Sequence, residues 1–216
     1  MTADRAAEGT TWVLAVERAY VAAAVQHTDG AAAVDRADGA AAPALVARAE
    51  AAAAAVASRF LAVGAPRGFG LVIDTAAQVD AAALALAAHR TWFDPREVRC
   101  AAVGGGAEGL AAATGGRVAS VDEALACDIV CVLAAYARVT PARLRRATHV
   151  NVAWAGVIDE ELRALATIVR EAQLPGLAAG LIDGRQLDEI TIFVIDGAPT
   201  ALAALDALTT PTGSRR

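Results

Sequence analysis

Asp128-Ile-Val-Cys-Val-Leu-Ala134 is the stretch on which the fold turns. An unbroken apolar run follows a single carboxylate, and three of its first four residues are β-branched. An extended strand built from it has no polar face, and a strand buried on both sides belongs inside a parallel sheet. The same reading extends outward in both directions. Residues 69–73 are a short apolar run of the same kind, and residues 97–103, 117–120, 148–153 and 167–169 are further strand candidates. Helical patterns over residues 76–90, 107–114, 121–126 and 140–146 lie between them. Thr140 and Pro141 stand at the cap and first position of the last of these, and Asp159 caps another helix over 160–164.

Strands alternating with helices at this spacing make βαβ units. The expected fold class is therefore α/β, a Rossmann-type, doubly wound and mostly parallel sheet covered on both faces. Such sheets take ligands beyond the carboxyl ends of their strands, where the strand order reverses. The flanks read differently. Residues 12–25 suggest a helix with Val13, Val16, Tyr20 and Val21 near the helical period, and residues 28–43 a loop rich in Gly, Ala and Asp. Residues 43–63 suggest a long alanine-rich helix with Pro43 in its first turn and Gly64 at its end. Beyond the central region, Gly184 ends a helix or turn, residues 189–194 read as a strand and 199–208 as a closing helix, with a frayed tail from Thr209. The expected division is a helical part over 1–66, a Rossmann-type lobe over 67–175, and a segment over 176–216 that returns to the first part. The first and last together form a small second lobe.

Composition narrows the function. The chain has 216 residues, 56% of them apolar and 4% aromatic, with a net charge of −5. Arg143, Arg145 and Arg146 are the only basic cluster and read as a solvated helix face, so nucleic acid is not an expected partner. All 19 basic residues are arginine. Without lysine there is neither a Schiff-base lysine nor a P-loop lysine. Cys100, Cys127 and Cys131 lie in apolar surroundings and read as buried, reduced thiols. The first residues lack the apolar core of a secretory signal, and the longest apolar stretch, residues 51–57 between Glu50 and Arg59, is too short to cross a bilayer. A cytoplasmic protein without membrane contact is expected.

Two loops are candidates for holding a phosphate. Gly104-Gly-Gly106-Ala-Glu-Gly109 fits G-x-G-x-x-G after a strand and before a helix. Its helix is short, Glu108 would stand near the phosphates, and a complete βα unit precedes it, so it reads as a flexible glycine turn. Ile73-Asp-Thr-Ala-Ala-Gln-Val-Asp80 occupies the correct place, after the first strand, but has no glycine. The Asp74 carboxylate would oppose a pyrophosphate, and Ala76 adds a Cβ where backbone must approach closely. It reads as a plain strand-to-helix turn.

At this loop the chain resembles the ornithine cyclodeaminase/mu-crystallin family. Ala57-Ser-Arg-Phe-Leu-Ala62 is similar to the end of the family's long alanine-rich helix, and Gln78 matches the glutamine of its Gly-Ala-Gly-x-Gln-Ala loop. Ala124-Leu-Ala-Cys-Asp-Ile-Val-Cys-Val132 looks like its Ala-x-x-Ala-Asp-Ile-Val segment, and Thr148-His-Val-Asn-Val152 like its Thr-His-Val-Asn stretch. Gly184-Arg-Gln-Leu-Asp-Glu-Ile-Thr-Ile-Phe-Val-Ile195 is similar to its terminal strand. The likeness runs from about Pro43 to Leu208. It implies NAD(P) as cofactor and places Asp74, Thr75, Ala76, Gln78, Val103, Gly104, Leu133 and Trp154 around it. It also implies pairing, as a homodimer or with a fuller relative, and leaves room for a small amino-acid-like ligand.

The departures from the family pattern bear on function. Asp74 and Ala76 replace the two loop glycines, Val103 and Gly104 stand where a ribose-binding residue is expected, and Leu133-Ala-Ala135 replaces a threonine-rich turn. Val152-Ala-Trp-Ala-Gly156 lacks the family's catalytic aspartate, the arginine- and lysine-bearing substrate sheet is largely missing, and Arg48 is not clearly in register with a family arginine. No catalytic and no metal-binding residue is assigned. His149 is expected to make structural hydrogen bonds, His89 to lie on the surface at a helix end, and His27 at a helix-to-loop boundary; their spacing suits no metal. Asp183, Asp188 and Glu189 read as a solvated turn and cap. Trp154 is expected to fill the cleft where a nicotinamide would lie. Two readings follow: a non-catalytic binding or partner protein with degenerate sites, or an NAD(P)-dependent oxidoreductase or cyclodeaminase acting on an amino acid or imine.

Overall fold

The structure, a computed structural model, describes residues 41–178 and 189–196. The helix expected over 12–25, most of the loop over 28–43, the turn at Gly184, the helix over 199–208 and the tail lie outside the described residues. Helix α1 (Ala41–Leu61) leads into β1 (Gly68–Ile73) and, after a 3-10 turn at Ala76–Gln78, α2 (Val79–His89). Then come β2 (Glu97–Ala102), α3 (Ala107–Thr114), β3 (Arg117–Val118), α4 (Val121–Leu125), β4 (Ile129–Val132) and β5 (His149–Val152). The remaining elements are α5 (Glu160–Leu165), β6 (Thr167–Arg170), α6 (Leu174–Ala178) and β7 (Thr191–Val194).

The strands form one seven-stranded sheet in the order β3-β2-β1-β4-β5-β7-β6, and every pairing is parallel. The order reverses between β1 and β4, which makes the crevice beyond those two strands the switch point of the fold. β7 corrects one expectation. The strand read over 189–194 does form, but it enters this sheet between β5 and β6 instead of standing in a separate lobe. The reason lies in its residues. Thr191-Ile-Phe-Val194 is buried throughout, and a β-branched, aromatic run buried on both faces belongs inside a parallel sheet.

Successive side chains of each central strand serve opposite faces. Val72, Val130, Val132, Val150 and Val152 pack with Ala124, Leu125 and Leu162 from α4 and α5. On the other side, Leu71, Ile73, Ile129 and Cys131 pack with Leu86 of α2 and Leu110 of α3. Helix α1 lies on this second face, where Ala53, Ala57 and Leu61 meet Phe193 and Leu174. Each alanine methyl buries little, about 0.8 kcal/mol of transfer free energy, but small side chains bring the helix axis close to the sheet. Gly70 does the same on the first face, since a Cβ there would lie 2.1 Å from the Ala124 carbonyl oxygen.

The helix expected over 140–146 is only a 3-10 turn at Pro141–Arg143. Pro141 is at its first position, but the Thr140 hydroxyl makes no cap bond and Leu144 is already extended. Asp159 caps α5 as expected, accepting the Glu161 N–H at 2.9 Å. Cys100, Cys127 and Cys131 are buried and free, and burial pushes the Cys131 thiol up to about 12.

Candidate functional site: the carboxyl edge of the sheet

The loops after β1, β2 and β4 converge on the crevice at the switch point. Asp74 follows β1 directly, and its carboxylate reaches across to the loop after β4. It accepts the Ala135 N–H at 2.6 Å and the Tyr136 N–H at 3.2 Å. Gln78 adds a second tie. Its Oε1 accepts the Asp74 N–H at 2.6 Å and the Thr75 N–H at 3.3 Å, while its Nε2 donates to the Leu133 carbonyl at 2.9 Å. Backbone amides at the start of a βα loop and at the opposite strand end are the groups that cradle anions in folds of this kind. Here four of them are engaged by the chain's own side-chain oxygens.

The glycine turn closes from the other side. Val103 N–H donates to Ile73 O at 2.9 Å and Gly104 N–H to Asp74 O at 2.8 Å. Gly106 has φ +102°, and a Cβ on it would lie 2.8 Å from the Ala76 Cα and N. Gly106 is therefore the residue that lets this turn sit directly on the β1 loop. Of the residues gathered by the family resemblance, Asp74, Thr75, Ala76, Gln78, Val103, Gly104 and Leu133 all come together here. No carboxylate follows β2, where Val103 is 47% exposed.

Trp154 lies at the carboxyl end of β5, but it does not fill the cleft: it is 58% exposed. The strand ends at Val152, and Trp154 precedes the 3-10 turn Ala155–Val157. In that turn Val157, 4% exposed, takes the inward place. Tyr136, 83% exposed, stands on the neighbouring loop.

His89 also departs from expectation. It is fully buried instead of surface-exposed, because α1 and β5 send polar groups to meet it. Its Nδ1 lies 2.7 Å from the Ala85 carbonyl, which can only accept, so Nδ1 carries the proton. Its Nε2 lies 2.8 Å from the Ser58 hydroxyl. Burial pulls the imidazole down to about 4, against the smaller upward pull of the Ala85 hydrogen bond. Asn151 Nδ2 donates to Ser58 Oγ at 3.0 Å, and Asn151 Oδ1 lies 3.2 Å from His149 Nε2. His149 Nδ1 lies 2.9 Å from the Thr191 hydroxyl. His149 is thus the buried hydrogen-bonding residue the sequence suggested, within a network joining α1, α2, β5 and β7.

Beside this network, a pocket of about 50 Å3 opens between α1, α2 and the carboxyl ends of β4 and β5. Alanines form half of its wall, and Glu50 of α1 is the one carboxylate among the described residues that line it. Burial pushes the Glu50 carboxyl above its ordinary value. The sequence reading passed over Glu50; the available signal was a lone carboxylate abutting the alanine run of residues 51–57. Among the described residues, no group of three His, Cys, Asp or Glu side chains is arranged to hold a metal, and no helix is long and apolar enough to cross a membrane.

Neither a family model nor a curated protein sequence matches the chain. Solved structures do. An archaeal alanine dehydrogenase dimer with bound NAD superposes with a TM-score of 0.61 at 23% identity, over 74% of this chain and 61% of that one. The Thermococcus litoralis Δ1-pyrroline-2-carboxylate reductase in complex with NADH and L-proline gives 0.61 at 20% identity, over 76% and 63%. A probable ornithine cyclodeaminase from Bordetella pertussis Tohama I gives 0.56 at 18% identity, over 74% and 63%. The chain spans about three fifths of the length of these structures. In fold, it is a Rossmann-type α/β protein of the kind found in the ornithine cyclodeaminase-type proteins it resembles.

Proposed function

We propose that this protein is a non-catalytic binding protein on a Rossmann-type frame, and that its switch-point crevice takes no dinucleotide. The observation that carries this reading is the Asp74 carboxylate on the Ala135 and Tyr136 amides. A fixed negative charge there opposes a pyrophosphate and already satisfies the donors that would receive one. The Ala76 Cβ and the seating of Gly106 on Ala76 support the same conclusion, since both consume space at the loop where backbone and phosphate would meet. The absence of a carboxylate after β2 removes the usual ribose contact. The residues present do not fit NAD(P).

A second reading is favoured by the bound groups of the solved relatives, NAD in the alanine dehydrogenase and NADH in the reductase. On that reading the chain is an NAD(P)-dependent enzyme of an amino acid or imine, and the Asp74 contacts break when cofactor enters. Titration with NADH and NADPH, followed by tryptophan energy transfer, separates the two. Pairing of the chain with itself or with a fuller relative belongs to the proposal as well, supported by the dimeric state of the archaeal alanine dehydrogenase. Light scattering at micromolar concentration tests it, and a stable monomer contradicts self-pairing.

A further inference from the structure

The pocket beside the buried network has a chemistry of its own. Its wall includes Ala51, Ala54 and Ala85, and its polar side chains are Glu50, Asn151 and Cys131. Two of these three are engaged elsewhere. Asn151 donates to Ser58 and lies within hydrogen-bond distance of His149 through its oxygen, and Cys131 accepts from Asn151 at 3.6 Å. Glu50 differs. Among the described residues its carboxylate has no hydrogen-bond or ion-pair partner, and burial pushes it above its ordinary value. A half-buried carboxylate without a partner facing an apolar pocket is poorly solvated, and a cation that brings its own hydrogen-bond donors relieves that cost.

We propose that this pocket binds a small primary ammonium ion with a short apolar tail. The ammonium group sits on Glu50 and the tail lies against the alanine wall. The size agrees: about 50 Å3 is room for about three to five water-sized groups. The charge pattern also sets selectivity. Among the described residues no arginine lines the pocket to receive a carboxylate, and Glu50 repels one, so a simple amine is preferred over the corresponding amino acid. This proposal rests on the closed-crevice reading above, because a dinucleotide laid over the carboxyl ends of β4 and β5 would occupy the same space.

The test is calorimetric titration of the full chain with propylammonium chloride, with sodium propionate and alanine as controls. The variants are Glu50→Gln, which keeps the volume and removes the charge, and Ala47→Leu, which narrows the rim of the pocket and keeps the carboxylate. The expected result is saturable one-to-one binding of propylammonium alone, weakened at least about tenfold in Glu50→Gln and weakened again in Ala47→Leu. Absence of saturable heat with the wild-type chain, or wild-type affinity in either variant, overturns the proposal. NADH titrated into the same preparation keeps the two ideas apart: NADH binding contradicts the closed crevice, whereas failure of the amine alone contradicts only the pocket assignment.

Discussion

Asp74 and Ala135 are joined across the carboxyl edge of the sheet, with the Asp74 Oδ2 accepting the Ala135 N–H at 2.6 Å. The two residues follow β1 and β4, the strands between which the order reverses. The bond thus spans the one crevice that the topology reserves for a ligand. Both Ala135 and Tyr136 are exposed, so water replaces the carboxylate when it is removed. Asp74→Ala is expected to lower stability by about 1–3 kcal/mol, the net worth of the two hydrogen bonds it removes. The urea midpoint at unchanged slope measures it. A loss well above that range would mean that Asp74 holds the fold together and does not merely occupy the crevice.

His89 makes stability depend on pH. The unfolded imidazole takes up a proton near pH 6.5, whereas the folded one resists it down to about 4. Its folded value is depressed, so the stability of the neutral, buried form is complete above pH 6.5. It falls as pH drops toward 4, by up to about 3 kcal/mol. Glu50, whose carboxyl is pushed up by burial, acts in the opposite sense. Comparing the wild-type chain with His89→Gln isolates the imidazole. Unfolding free energies at pH 7 and pH 5 should differ less in the variant; an equal difference in both contradicts a neutral buried His89.

Two glycines close together in sequence should respond oppositely to alanine. Gly106→Ala forces a Cβ onto the Ala76 backbone at positive φ and is expected to cost about 1–3 kcal/mol. Gly109 lies inside α3, and a Cβ on it meets nothing within 4 Å, so Gly109→Ala should stabilise by about 0.5–1 kcal/mol. Denaturant midpoints of the two variants check the seating of the glycine turn on the β1 loop. A neutral Gly106→Ala would mean that the turn does not rest on the Ala76 backbone.

Exposed Trp154 should behave as a surface residue. Trp154→Ala is expected to change stability by no more than about 0.5 kcal/mol, not by the several kcal/mol of an emptied core site. The acrylamide-quenchable part of the fluorescence should fall with it. A large drop in the urea midpoint would return the indole to the interior.

The central sheet was legible because its inner strands carry their burial in their own residues: Phe69 to Ile73 and Ile129 to Val132 lie where the apolar runs put them. The convergence of Asp74, Gln78 and Leu133 was legible from the family resemblance, which fixes the loops. What sequence missed depends on partners distant along the chain. His89 looked like a helix-end residue because Ser58 and Asn151, which bury and bond it, lie 31 and 62 positions away. β7 carried a clear strand pattern, but nothing local says that it slots between β5 and β6. Trp154 was misjudged because a large apolar residue at a strand end was expected to turn inward, whereas the turn at Ala155–Val157 gives that place to Val157.

A crevice closed by Asp74 leaves no place for a dinucleotide, and titration of NADH and NADPH into the wild-type chain checks this. Energy transfer from tryptophan to the reduced nicotinamide reports binding, and calorimetry gives the stoichiometry. No saturation is expected through the micromolar range for either dinucleotide, because the amides at Ala135 and Tyr136 are held by Asp74. One-to-one binding with a Kd in the low micromolar range would contradict it.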